Sequence, residues 1–314
     1  MTKPEVLELI DVHPGTTARL DDAYVLHRLW QASDPERSLA EVGPRVRAAV
    51  TNGIVGIKGD VIEALPALEI IGVFGVGVDA VDLPTARACG VRVTNTPDVL
   101  TEGVAELAMA LLLAVARRIP FNDRYVRAGR WPNEGDPALA SSLADRRLGI
   151  VGLGRIGRRV AQLAEAFGMV ICYAGPRRKD DVAWRYYGDL VEMAREVDCL
   201  MLTCKGGAET AGLIGREVIE ALGPAGWLIN VARGTVVDEP ALVDALVRGR
   251  LGAAGLDVFA REPHVPEALL GLDNVVLQPH QGSASEETRA AMGRLVLDNL
   301  EAHFAGRPLL TPVA

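Results

Sequence analysis

Aromatic side chains make up only 4% of the 314 residues, and cysteine occurs four times, at Cys89, Cys172, Cys199 and Cys204. None of the cysteines forms a CxxC pair, and no Cys/His spacing matches a zinc site. Buried, reduced thiols are expected and a metal centre is not. The chain is also short of positive charge: 33 Lys and Arg stand against 41 Asp and Glu, a formal net charge of −8. That balance argues against nucleic acid and against anionic membranes as partners. Long apolar runs are missing too. The longest, LAMALLLAVA at 107–116, falls far short of the roughly 20 residues that span a bilayer. Glu102 and Glu106 precede it and Arg117 and Arg118 follow, a charge order that suits the dipole of a buried helix. The opening MTKPEVLELIDVHPG has no signal-peptide layout, so a cytoplasmic protein is expected.

What is present is a chain with 49% hydrophobic residues, enough to bury two cores of ordinary size. Short apolar runs alternate with longer helical patterns, the signature of an α/β fold with parallel sheets covered on both faces. A first series of strands is expected at 6–10, 47–51, 70–74 and 91–95. Between the last two lies a helix at 83–89, with Asp82 as cap and Pro84 in its first turn. A second series reads 148–151, 170–173, 199–203, 227–230, 253–256 and 275–277. Helices are expected at 101–117, 155–167, 190–196, 216–222, 239–248 and 286–304. Asn95-Thr96-Pro97-Asp98 marks a hinge, because Pro97 ends the strand and Thr101 can cap the apolar helix. The stretch 130–143, rich in Pro, Asn, Gly and Ser, reads as a surface loop.

The sharpest local signal is LGIVGLGRIGRRVAQLAEAFG, starting at Leu148. An apolar strand runs into Gly152-Leu153-Gly154-Arg155-Ile156-Gly157, and a helix follows. Gly152 allows the tight turn, Gly154 the approach of a pyrophosphate, and Gly157 the close packing of helix on sheet. With strand, helix and next strand all in place, a dinucleotide site is expected. An NAD site wants an acid at the end of the second strand, for the ribose 2′-hydroxyl. Here that strand ends Cys172-Tyr173-Ala174-Gly175-Pro176, and Arg177-Arg178-Lys179 follow. A carboxylate would repel a 2′-phosphate and Arg can pair with it, so NADP(H) is favoured over NAD(H).

Three further segments put polar groups just past apolar strands: Arg233 in NVARGTVVD, Asp257 and Glu262 in GLDVFAREP, and His280 in QPH. In an open α/β sheet, such strand ends gather at one crevice. His264 is a rival to His280, because it also lies near Glu262.

With the VGLGRIG fingerprint, these motifs resemble the D-isomer-specific 2-hydroxyacid dehydrogenase family, in order and spacing, over nearly the whole chain. The acid-free second strand resembles the glyoxylate/hydroxypyruvate reductases within it. The resemblance implies two doubly wound domains: a Rossmann cofactor domain, 98–284, inserted into a flavodoxin-like substrate domain, 1–97 with 285–314. It implies reduction of a small 2-keto acid to the D-2-hydroxy acid. Arg233 would hold the substrate carboxylate, His280 would donate the proton, and Glu262 would hydrogen-bond His280 and favour its charged form. Val76 and Gly77, in FGVGVDAVD, would grip the carboxylate through backbone N–H groups. Besides the residues of the fingerprint, Thr101, Arg177, Arg178, Cys204, Thr210, Val231, Ala232, Asp257 and Gly282 would contact the cofactor. A homodimer built on the helix at 101–117 is implied as well. The run Thr203-Cys204-Lys205-Gly206 departs from the family pattern, where a His or Val followed by Pro is common. A lactate- or phosphoglycerate-type dehydrogenase, or a cofactor-sensing binding protein, would use the same scaffold.

Overall fold

In a computed structural model, which describes residues 3–313, the ten expected apolar runs become strands, and two further strands bring the parallel strands to twelve, in two sheets. The chain divides into two compact units, residues 1–100 with 283–314, and residues 101–282. The joins fall within a few residues of the expected 97/98 and 284/285.

The first unit holds β1 (Glu5–Glu8), β2 (Val25–Arg28), β3 (Val46–Thr51), β4 (Ile70–Val73) and β5 (Arg92–Thr94). Their order is β2-β1-β3-β4-β5, the flavodoxin-like winding. β3 and β4 lie inside the sheet and are almost continuously apolar, as strands covered on both faces must be. Leu7, Ala49, Ile71, Val73 and Val93 belong to one buried cluster. The last helix, Glu286–Phe304, packs on β4 at Gly72, where a Cβ would come 3.2 Å from Val296. Asp82 caps the helix Leu83–Ala88 by accepting the Thr85 N–H, as its sequence implies.

The second unit holds β6 (Arg147–Val151), β7 (Val170–Ala174), β8 (Arg185–Tyr187), β9 (Cys199–Leu202), β10 (Trp227–Asn230), β11 (Ala253–Leu256) and β12 (Val275–Leu277). The order β12-β11-β10-β9-β6-β7-β8 is the Rossmann winding, with the switch point between β6 and β9. Leu200, Leu228, Ala254 and Leu256 are essentially excluded from solvent. The apolar helix Thr101–Ala116 lies across β10, β11 and β12. Gly255 permits this, since a Cβ there would sit 3.1 Å from the Cβ of Leu111.

Both unforeseen strands, β2 and β8, are sheet edges. Their sequences, VLHR and RYY, are partly exposed and carry charge, so they lack the apolar run that betrays an inner strand. The helix Ile119–Arg127 and the short turn Trp131–Glu134 are likewise unannounced by the sequence; the latter interrupts the expected loop at 130–143. Thr101 is the first residue of its helix rather than its cap.

Candidate active site

The carboxyl end of β6 runs into the glycine turn. Gly152 has φ +95°, and a Cβ on it would lie 2.5 Å from the Cα of Cys204, so no other residue fits. At Gly157 a Cβ would meet the Gly152 carbonyl oxygen at 2.5 Å and Thr203 Oγ1 at 2.8 Å. Gly154 differs: nothing lies within 4 Å of its would-be Cβ. That glycine is the N-cap of the helix Arg155–Ala166 and offers no side chain to the helix's first N–H groups. Those donors and the helix dipole suit an anion, and the open space over Gly154 suits a pyrophosphate. Leu153 is buried beneath the turn, Ile156 is half-buried and Arg155 is exposed.

Past the end of β7, the segment 175–181 carries the cationic pair. Arg177 and Arg178 are exposed and make no hydrogen bond or ion pair among the described residues. The backbone beneath them is fixed. The Lys179 N–H donates to Tyr173 Oη at 2.7 Å, and Tyr186 Oη donates to the Gly175 carbonyl at 3.0 Å. Asp181 is engaged by Arg158 at 2.9 Å, and this hydrogen bond holds its carboxyl below the usual range. No acid stands at the strand end itself.

Other expected cofactor residues lie at neighbouring strand ends. Cys204 follows β9 and packs under Gly152; burial pushes its thiol up to about 11. Thr210 closes the loop after it by donating to the Lys205 carbonyl at 2.7 Å. Val231 and Ala232 follow β10 and are buried. Asn230, which sequence reasoning passed over, shapes this turn. Its Oδ1 accepts the Ala232 N–H and its Nδ2 donates to the Arg233 carbonyl, both at 3.0 Å. An amide ending the otherwise apolar strand WLIN was the available signal. Gly234 then packs against the backbone of Phe259, too close for any Cβ.

The chemical groups sit at the ends of β10, β11 and β12. His280 Nδ1 lies 2.7 Å from Glu262 Oε2, and the two side chains are 26% and 16% exposed. Burial alone would raise the Glu262 carboxyl; the hydrogen bond and charge of His280 more than offset that and hold it below its ordinary value. Its other oxygen accepts the Phe259 N–H at 3.1 Å. The His280 Nδ1–H thereby donates to the Glu262 carboxylate, and Nε2 is left without a protein partner among the described residues. His280 itself has φ +54°, a left-handed backbone that costs energy for a residue with a Cβ. Asp257 holds it there. The Asp257 carbonyl accepts the His280 N–H at 2.8 Å, and its carboxylate accepts the Gln281 and Gly282 N–H groups at 2.6 and 2.9 Å. Burial raises the Asp257 carboxyl, with these hydrogen bonds and the nearby imidazole pulling the other way. Asp257 is only 1% exposed and both its oxygens are used. Through these bonds it fastens the His280 loop from behind. His264 is exposed and has no part in the pair.

A carboxylate partner alone does not single out His280. His13, His27 and His303 also meet glutamates, at 2.9, 2.8 and 2.8 Å. Only His280 stands at a strand end of the sheet that carries the glycine turn.

In the first unit, Val76 and Gly77 follow the carboxyl end of β4. The Gly75 carbonyl accepts the Thr96 N–H at 2.9 Å, and the Val76 carbonyl accepts Asn95 Nδ2 at 2.8 Å. In a trans peptide the N–H points opposite to the C=O. The Val76 and Gly77 N–H groups therefore point away from residues 95 and 96, side by side, and donate to nothing among the described residues. Two adjacent free amides are groups suited to an anion.

The model of the D-isomer specific 2-hydroxyacid dehydrogenase NAD binding domain matches residues 109–282. The chain belongs to the D-isomer specific 2-hydroxyacid dehydrogenase family. A hydroxyphenylpyruvate reductase of Plectranthus scutellarioides is 53% identical over 294 residues, 94% of each chain. A glyoxylate/hydroxypyruvate reductase of Arabidopsis thaliana is 49% identical over 296 residues, again 94% of each. Among solved structures, an NADPH-dependent glyoxylate/hydroxypyruvate reductase from Sinorhizobium meliloti, in complex with NADP and malonate, superposes with a TM-score of 0.92. It shares 42% identity and is covered to 97%, against 100% of this chain. Like other 2-hydroxyacid dehydrogenases, this chain is an oxidoreductase of 2-keto and 2-hydroxy acids. Among the described residues no helix is long and apolar enough to cross a membrane.

Proposed function

We propose that this 2-hydroxyacid dehydrogenase reduces a small 2-keto acid of the glyoxylate or hydroxypyruvate type, with NADPH preferred over NADH. The observation that carries the reaction is the Glu262–His280 pair, held at 2.7 Å at strand ends of the sheet that also carries the dinucleotide turn. The residues fit the cofactor: the open face of Gly154 and the uncapped helix would take the pyrophosphate, and the unpaired Arg177 and Arg178 would take a 2′-phosphate. When bound, the reduced nicotinamide supplies the hydride.

The protein's own groups do the rest. Val76 and Gly77 donate their N–H groups to the substrate carboxylate, and Arg233 pairs with it and polarises the keto carbonyl. His280, charged, donates its Nε2 proton to the keto oxygen, which becomes the hydroxyl of the product. Glu262 keeps the ring oriented and offsets its charge; Asp257 and Asn230 hold the two loops in place. In the oxidative direction His280 takes the same proton back.

The expected homodimer is proposed on a different segment from the helix first suggested. That helix spends Val104, Ala108, Leu111, Leu112 and Val115 inside its own unit. The exposed apolar side chains come just after it: Ile119 and Val126 at 52% and 54%, Trp131 at 55%, and Leu139 at 98%.

The test is to mix purified protein with NADPH and hydroxypyruvate or glyoxylate, beside His280→Ala. The parent should turn over. The variant should bind NADPH unchanged yet lose about 10²–10⁴-fold in kcat, the span of general acid catalysis. Undiminished turnover by the variant would refute the assignment.

A further inference from the structure

Arg177 and Arg178 have no partner among the described residues, yet the backbone that carries them is tied down by two tyrosines. Tyr173 lies in β7 and Tyr186 in β8. They are register partners in the parallel pair, so their side chains leave the same face of the sheet. Their rings pack together, with centroids 5.4 Å apart and planes tilted by 51°. Tyr173 is buried and Tyr186 half-buried.

Both hydroxyls end on the backbone of the segment after β7. Tyr186 Oη donates to the Gly175 carbonyl at 3.0 Å. Tyr173 Oη accepts the Lys179 N–H at 2.7 Å and reaches the Lys179 carbonyl at 3.4 Å. The two anchors stand on either side of Pro176-Arg177-Arg178, and Pro176 fixes one more backbone angle between them. The β7–β8 ladder is made by backbone groups and does not need the hydroxyls. Burying a hydroxyl costs free energy unless it is hydrogen-bonded, and here the bonds that offset the cost all go to the arginine-bearing segment. A segment ordered before its ligand arrives spares binding the entropy of ordering it. The glycine turn would bind what both dinucleotides share, so this gain would fall on the 2′-phosphate alone.

We propose that Tyr173 and Tyr186 are positioning residues for cofactor choice: their hydroxyls hold the backbone of 175–179 so that Arg177 and Arg178 meet a 2′-phosphate already in place. This rests on the NADPH reading above.

The experiment measures the affinities of NADP+ and NAD+ by calorimetry for the parent, Tyr173→Phe and Tyr186→Phe, with thermal midpoints alongside. The same proteins are then digested briefly with trypsin, whose sites include Arg177, Arg178 and Lys179. Each Phe variant should bind NADP+ about 2–10-fold more weakly, the worth of a neutral hydrogen bond, and NAD+ within about twofold of the parent. Cleavage at 177–179 should be faster in the variants, because the segment must open to be cut. With Arg177→Ala and Arg178→Ala already in place, the Phe substitutions should no longer alter NADP+ affinity. Equal losses for NADP+ and NAD+ would mean that the hydroxyls merely stabilise the unit, and would overturn the proposal. So would an unchanged NADP+ affinity, an unchanged rate of cleavage, or a loss that survives removal of the arginines. A parent that binds NADP+ no more tightly than NAD+ overturns the cofactor reading, and this inference with it.

Discussion

Glu262 and His280 form a coupled pair, and the coupling is visible from the glutamate. The charge of His280 holds the Glu262 carboxyl below its ordinary value despite burial. A depressed carboxylate contributes stability that is fully present above its unfolded pKa and is lost as pH falls through the lowered one. Neutral pH lies above both limits, so Glu262 is charged there and its carboxylate accepts the His280 Nδ1–H. In Glu262→Gln that charge is removed, and kcat should fall about 10²-fold or more with NADPH affinity unchanged. An unchanged kcat would mean that the Glu262 charge has no part in the proton transfer. At the same scale, burial raises the thiols of Cys172 to about 12 and Cys204 to about 11, and raises Cys199 further, while Cys89 is exposed. A thiol reagent should therefore label one cysteine rapidly in the native protein and all four after denaturation. Rapid labelling of more than one would mean that the cofactor-side loop at Cys204 opens readily.

On the proposed reading, the glycine turn and the segment after β7 divide cofactor binding between them: the turn would serve any dinucleotide, and Arg177 and Arg178 only the 2′-phosphate. Gly157→Ala, whose Cβ would meet the Gly152 carbonyl, should weaken NADPH and NADH alike and cost about 1–3 kcal/mol of stability. Replacing Arg177 and Arg178 by Ala should raise the KM for NADPH tenfold or more and leave that for NADH within about threefold. Equal losses would argue against phosphate recognition. These parts were legible in the sequence because each depends on contiguous residues: glycines at fixed spacing, an acid-free strand end, a strand running into a helix. The inner strands were legible for the same reason, being apolar on both faces. The edges β2 and β8 were not, since only their hydrogen bonds to one neighbour make them strands. Nor was the role of Asp257, because the backbone N–H groups that donate to it lie more than twenty residues away in sequence.

At the scale of the molecule, two parallel sheets supply separate functions. The Rossmann unit carries the dinucleotide turn, Arg233 and the Glu262–His280 pair, and the flavodoxin-like unit carries the free amides of Val76 and Gly77. The apolar side chains that remain exposed at 119–139 are the proposed contact between two copies. Trp131→Asp should convert a dimer to a monomer by light scattering; an unchanged mass would place the contact elsewhere. The central claim, an NADPH-preferring reductase of a small 2-keto acid, is tested most directly by one comparison. NADPH and NADH are supplied side by side with hydroxypyruvate, and the loss of reduced-nicotinamide absorbance is followed. The account predicts rapid oxidation of NADPH and a kcat/KM for NADH lower by about tenfold or more. Equal or better use of NADH would contradict the role given to Arg177 and Arg178, and no oxidation of either would contradict the proposed substrate class.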